Sequence, residues 1–263
     1  MTILKRSASM VSALVMMISS AGAYNCSAEG TTVNDSNTNN TREIVIDGTT
    51  AQLKENMRYR GAGMVSANNS SRLLLDYKAE HPDVYEQIMK YMFGKEGIGI
   101  THLKLEMGAD INSSSGTEPS VMRTEDEKAD VTRGAAYQLA ADAKKINPDL
   151  TLDMLWWSEP KWVSDASDVY AARYKWYKNT LDAAYETYGL EFDYVSAVQN
   201  ERGADLEWVK YLSSHLKSEK DTPYDYSKIK IVGGEEVCTW GFADRMYEDS
   251  ELMNVVDVVG SHY

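Results

Sequence analysis

From about Ile44 onward the chain alternates short apolar runs with longer stretches of helical period, and this alternation constrains the fold more than any other feature. Runs at 61–67, 100–107, 150–155, 194–198, 229–232 and 255–260 read as strands. Several are near-continuous Val/Ile/Leu segments, as expected of strands buried on both faces. Between them, Val84, Ile88, Tyr91 and Met92 follow helical spacing, as do Leu206, Val209, Leu212 and Leu216 after Gly203-Ala204-Asp205. Asn147-Pro148 closes an Ala-rich helix before the third strand. Alternating strand and helix predicts an α/β fold with a parallel sheet.

A doubly wound sheet would show a Gly-rich phosphate loop after its first strand. Here that strand leads into Ser66-Ala67-Asn68-Asn69-Ser70-Ser71, with neither GxGxxG nor GxxxxGK[ST]. A (β/α)8 TIM barrel instead gathers functional groups at the C-terminal ends of many strands. This chain does so: Glu106 and Asp110 follow strand two, and Trp157 and Glu159 follow strand three. Asn200-Glu201 follow strand four, Glu235-Glu236 strand five, and His262-Tyr263 strand six. The expectation is an incomplete TIM barrel, with about six of the eight strands a closed barrel needs. The last apolar run has no covering helix after it, so the chain reads as a fragment of a longer reading frame; the alternative is a shorter sheet closed otherwise.

Three segments are expected along the chain. Lys5 and Arg6, an apolar stretch at 10–17 and Ala21-Gly22-Ala23 predict a signal peptide over 1–23, cleaved near Ala23, and a secreted or extracytoplasmic protein. Residues 24–43 are a Ser/Thr/Asn-rich flexible linker, too poor in apolar side chains to offset ordering entropy. Residues 44–263 form the partial TIM-barrel catalytic domain. The net charge of −13 argues against nucleic-acid binding. Past the leader no run approaches the roughly 18 to 20 apolar residues of a transmembrane helix. Cys26 and Cys238, far apart in the chain, imply no disulfide framework.

Asn200-Glu201 is the sharpest local feature. Desolvation at the mouth of a buried strand raises a carboxyl's pKa, and a protonated carboxyl there can donate to the oxygen of a glycosidic leaving group. Asn200 can hydrogen-bond a substrate hydroxyl beside the reacting carbon. Trp156, Trp157 and Trp162 cluster around Ser158-Glu159-Pro160, and Trp157 is the best placed to stack on a sugar ring. Other chemistries lack their residues. His81, His102, His215 and His262 include no i, i+4 pair and no HExxH, so no metal site is expected, and no GxSxG elbow is present. His102 reads as structural, whereas His262, at a strand end, could face the cleft.

These residues resemble glycoside hydrolase family 59, the galactosylceramidase family. The likeness runs in order from about residue 60 through Gly61-Ala62-Gly63-Met64-Val65-Ser66, Ser71-Arg72-Leu73-Leu74-Leu75-Asp76-Tyr77 and Leu105-Glu106-Met107-Gly108-Ala109-Asp110. It continues through Gly116-Thr117-Glu118-Pro119-Ser120, Trp157-Ser158-Glu159-Pro160-Lys161-Trp162, Gln199-Asn200-Glu201-Arg202 and Gly260-Ser261-His262-Tyr263. The resemblance implies a barrel of the retaining clan with two catalytic glutamates, no cofactor, and a galactoside or glycolipid substrate such as galactosylceramide. By that likeness Glu201 is the general acid/base, and Thr117, Trp157 and Asn200 contact the galactose. The family's nucleophile lies at the end of a seventh strand. Gln199 replaces a usual Trp, and Glu159 and Lys161 replace a usual aromatic and glycine. Plant or oligosaccharide galactosides, or carbohydrate binding without catalysis, are the alternatives.

Overall fold

The computed structural model describes residues 60–263. The expected leader (1–23), linker (24–43) and domain start at residue 44 lie outside them. Six strands run in the order β1 (Gly63–Ser66), β2 (His102–Glu106), β3 (Thr151–Leu155), β4 (Tyr194–Ser196), β5 (Lys230–Val237) and β6 (Val258–His262). Every neighbouring pair is parallel, and the order in the sheet is the order in the chain. A doubly wound sheet reverses its order at a switch point. Sequential order is what a β/α-barrel requires, and the six strands form a curled, incomplete one.

The helices are α1 (Arg72–Glu80), α2 (Pro82–Phe93), α3 (Ala136–Ile146), α4 (Lys161–Ser164), α5 (Val169–Tyr188), α6 (Leu206–Ser218), α7 (Gly241–Glu248) and α8 (Ser250–Val255). Local chemistry sets their ends. The Asp168 carboxylate accepts the Ala171 N–H at 3.0 Å to start α5, and Gly189, at φ 67°, stops it in the left-handed region. Asp205 caps α6 through the Trp208 N–H at 3.2 Å. Alternate residues of the strands divide the sheet's two faces. Leu103, Leu105, Leu152, Met154, Val195 and Ile231 are fully buried in one apolar core with Trp176, Tyr177 and Trp208 of the helices. The opposite phase carries His102, Lys104 and Asp153, so polar groups occupy the concave side.

Three details differ from the sequence reading. In α2 the period is right and the phase is wrong. Tyr85, Met89 and Phe93 are buried, while Val84 and Tyr91 are about half exposed, because the Tyr85 hydroxyl reaches Asp142 on α3. Strand five extends to Val237, so Glu235 and Glu236 lie inside it at a bulge rather than after it. Strand six, read over 255–260, runs over Val258–His262, and Val255 instead ends α8, which the Asp249 side chain starts by accepting from both Glu251 N and Leu252 N.

Candidate functional site at the C-terminal ends of the strands

Non-glycine residues in the left-handed region cluster at one end of the sheet. Asn68 and Asn69 follow β1, Asp110 follows β2, Glu201 follows β4, Glu235 sits at the bulge near the end of β5, and Cys238 lies just past that end. Such conformations cost about 1–3 kcal/mol each and persist where surrounding structure enforces them, commonly at functional sites. This is also the end where barrels place their chemistry.

After β4, two backbone bonds fix the Asn200-Glu201 pair between its neighbours. Asn200 N–H donates to the Trp156 carbonyl at 2.8 Å on the β3 side, and Glu201 N–H donates to the Glu235 carbonyl at 3.0 Å on the β5 side. Arg202 N–H closes the turn on the Gln199 carbonyl at 3.0 Å. The Gln199 side chain, standing where the family usually has Trp, donates to the Trp157 carbonyl at 3.0 Å. Asn200, Glu201 and Trp157 are thereby brought together, all three half-buried.

The three tryptophans separate into roles. Trp156 is buried with the Arg173 guanidinium 4.4 Å from its ring, edge-on to Trp208. Trp162 donates its indole N–H to the Met122 carbonyl at 3.0 Å, a packing role. Glu159, which departs from the family pattern, is held bidentately by Arg173 at 2.7 and 3.2 Å, both side chains largely buried. It anchors the loop carrying Trp157.

Thr117 stands on the loop after β2, donating to the Asn112 side-chain oxygen. That loop is locked against the one after β1, since a Cβ on Gly116 would come within 2.3 Å of the Asn68 carbonyl. Two buried carboxyls tie the loops together: Glu106 accepts the Asn68 N–H at 2.7 Å and Glu118 the Asn69 N–H at 2.6 Å. Burial raises the pKa of Glu106, with the Asn68 N–H working against it. Glu118 is pushed up to about 8, by burial first, against the Asn69 N–H and with repulsion from Glu106. Asp110, by contrast, is exposed and held low by the Arg123 guanidinium.

Sequence reasoning missed Lys104, whose ammonium bonds the Glu235 carboxylate and lies 3.5 Å from Asp153. The signal was present in the polar phase of β2, where His102, Lys104 and Glu106 alternate with Leu103 and Leu105. Among the described residues no group of three or more His, Cys, Asp or Glu side chains is placed to hold a metal ion.

Six sequentially ordered parallel strands, with strained, carboxylate-rich loops at their C-terminal ends, define an incomplete β/α-barrel with its candidate site at that end. Residues 59–263 match glycosyl hydrolase family 59, and the chain belongs to that family. It is 33% identical to human galactocerebrosidase over 213 residues, covering 78% of this chain and 29% of that protein. The zebrafish (Danio rerio) galactocerebrosidase is 29% identical over 211 residues, covering 76% of this chain and 29% of that protein. The chain therefore spans less than a third of these relatives. Among solved structures, an endo-β1,6-glucanase superposes with a TM-score of 0.58 at 17% identity, over 77% of this chain and 51% of that one. SrfJ from Salmonella typhimurium does so at 0.59 and 15%, over 77% and 50%. Both are likenesses of fold alone.

Proposed function

We propose that this chain supplies the acid/base half of a retaining β-galactosidase acting on terminal β-galactosides, galactosylceramide among them. The supporting observation is the double suspension of Asn200-Glu201 between the ends of β3 and β5. In the first step Glu201 gives its proton to the glycosidic oxygen as the C1–O bond breaks, while a second carboxylate attacks C1. In the second step Glu201 takes a proton from water, whose oxygen displaces that carboxylate. Asn200 bonds a hydroxyl beside C1, Trp157 stacks on the sugar face, and Thr117 closes the galactose pocket. The nucleophile belongs about 5–5.5 Å from Glu201, and the family likeness assigns it to a seventh strand. The names of the relatives support galactosylceramide as substrate.

In the full-length protein, Glu201→Gln should lower turnover of an alkyl β-galactoside by about 10²–10⁴, and much less for a dinitrophenyl β-galactoside, whose leaving group needs little acid help. Equal losses on both substrates would remove Glu201 from the acid role. A second reading, sugar binding without hydrolysis, is favoured by the engagement of each buried glutamate of the site: Glu106, Glu118, Glu235 and Glu236 all accept hydrogen bonds within the protein. Galactose binding by calorimetry without turnover in the full-length protein would select it. We further propose export with cleavage near Ala23, which N-terminal sequencing of the mature protein checks.

A further inference from the structure

Lys104 and Asp153 are register partners on β2 and β3, and Glu235 reaches the same point from β5. The Lys104 Nζ donates to Glu235 Oε1 and lies 3.5 Å from Asp153 Oδ2, with side-chain exposures of 12% for Lys104, 6% for Glu235 and 5% for Asp153. His102 Nε2 faces the same Asp153 oxygen at 3.4 Å. Burial alone would lower the Lys104 pKa, yet the two carboxylates outweigh it and hold the ammonium above its usual value. Taking ions this far out of water costs several kcal/mol each, and apolar side chains of the same volume commonly stabilise a core as well or better. Fold stability alone therefore does not account for the cluster.

Its backbone consequences do. Glu235 is left-handed at φ 57°, at the place where the β5–β6 register shifts between Gly234 and Glu236. From that bulge its carbonyl accepts the N–H of Glu201, itself left-handed at φ 66°. Two strained residues are thus joined by one hydrogen bond, and the side chain of the first is clamped by a buried ammonium. Gly260 on β6 leaves room for this arrangement, since a Cβ there would meet Glu235 Cγ at 3.2 Å.

We infer that the Lys104–Glu235 ion pair is a positioning device for Glu201, fixing the β5 bulge so that the Glu235 carbonyl holds the acid's backbone at its working angle. The inference rests on the reading of Glu201 as acid/base. It also assigns Glu235 a part other than the nucleophile's, because its carboxylate is engaged by Lys104 and shielded from the cleft.

Glu235→Ala removes the clamp while leaving Lys104 paired with Asp153, and Glu235→Gln keeps an oxygen for Lys104. In the 263-residue chain, amide hydrogen exchange at Glu201 should accelerate about tenfold or more in the Ala variant, with Leu105 and Met154 unchanged and the Gln variant near the parent. An unchanged Glu201 amide, or equal acceleration at all three positions, overturns the inference. In the full-length protein, Glu235→Ala should reproduce the leaving-group signature of Glu201→Gln at smaller size: about tenfold loss on an alkyl β-galactoside and under about threefold on the dinitrophenyl one. If Glu201→Gln shows that signature and Glu235→Ala does not, the positioning role fails and the acid role stands. If Glu201→Gln lacks it, the acid role fails, and with it the positioning of an acid.

Discussion

The Glu118 carboxyl is 2% exposed, with one oxygen on the Asn69 N–H and the other buried without a hydrogen-bond partner. A Cβ on Gly134 would stand 2.1 Å from that second oxygen, so a side chain there would require the Glu118 carboxyl to shift. Burial pushes the Glu118 pKa up to about 8 from an ordinary value of 4.5. The folded chain then binds this proton more tightly than the unfolded chain does, and stability falls with rising pH wherever the folded state holds more protons. The contribution is full below the unfolded value and is lost as pH rises towards about 8, with Glu106, also raised by burial, adding in the same direction. Glu118→Gln keeps the shape and removes the titration. The parent's Tm should decline between about pH 5 and about pH 8, and the Gln variant's should decline markedly less; parallel curves by differential scanning calorimetry would show that this carboxyl does not set the slope. At this scale the placement of Asn200, Glu201 and Trp157 just past the ends of β4 and β3 was legible, because the end of an apolar run is a local signal. The Lys104–Glu235 contact was not, since a polar strand phase says that a lysine points inward but not which of several acids meets it.

Asp142 shows how one side chain orders three elements. From α3 it accepts Lys78 of α1 at 2.5 Å, Tyr85 of α2 at 2.8 Å and its own helix's Lys145 at 2.9 Å. Burial would raise its pKa, but these three donors outweigh it and hold the carboxyl below 3.8. A depressed carboxyl stabilises the fold above its unfolded value, and the benefit is lost as pH falls through the folded one. Asp142→Ala leaves the Tyr85 hydroxyl buried without its acceptor and should cost about 2–3 kcal/mol. Lys78→Met removes only a partly exposed partner and should cost under about 1 kcal/mol. Urea midpoints at constant m-value read both, and equal losses would mean that Tyr85 is not what Asp142 chiefly serves. The same contact explains the phase error in α2. Periodicity alone cannot choose between the stripe of Val84 and Tyr91 and that of Tyr85, Met89 and Phe93. A tyrosine whose hydroxyl finds a buried acid decides it. The end of strand five was misplaced for a related reason, because Gly233-Gly234 followed by two acids reads as a turn, whereas those glycines carry the strand through a bulge.

Over the whole molecule, the sequential parallel order was readable in advance because six apolar runs with helices between them leave few ways to bury both faces of each strand. The chemistry of such a barrel is distributed around its rim, so a retaining site needs carboxylates from strands on opposite sides of the sugar. On the proposed reading Glu201 is the carboxylate that transfers the proton, and the buried acids around it are already engaged. Glu235 is clamped by Lys104, Glu236 accepts from Arg245 and from the Ala204 N–H at 3.0 Å, and Glu106 and Glu118 hold the loop after β1. Freeing any one for attack on an anomeric carbon would strand a buried cation or an unpaired N–H, at about 1–3 kcal/mol or more. The 263-residue chain on its own should therefore bind galactose weakly and show no turnover of 4-nitrophenyl β-galactoside above the buffer rate. Turnover abolished by Glu201→Gln would mean that one of these engaged glutamates leaves its partner during reaction. Single replacements of Glu106, Glu118, Glu235 and Glu236 by Gln would then identify which, because losing the nucleophile blocks even the activated dinitrophenyl substrate that losing the acid spares.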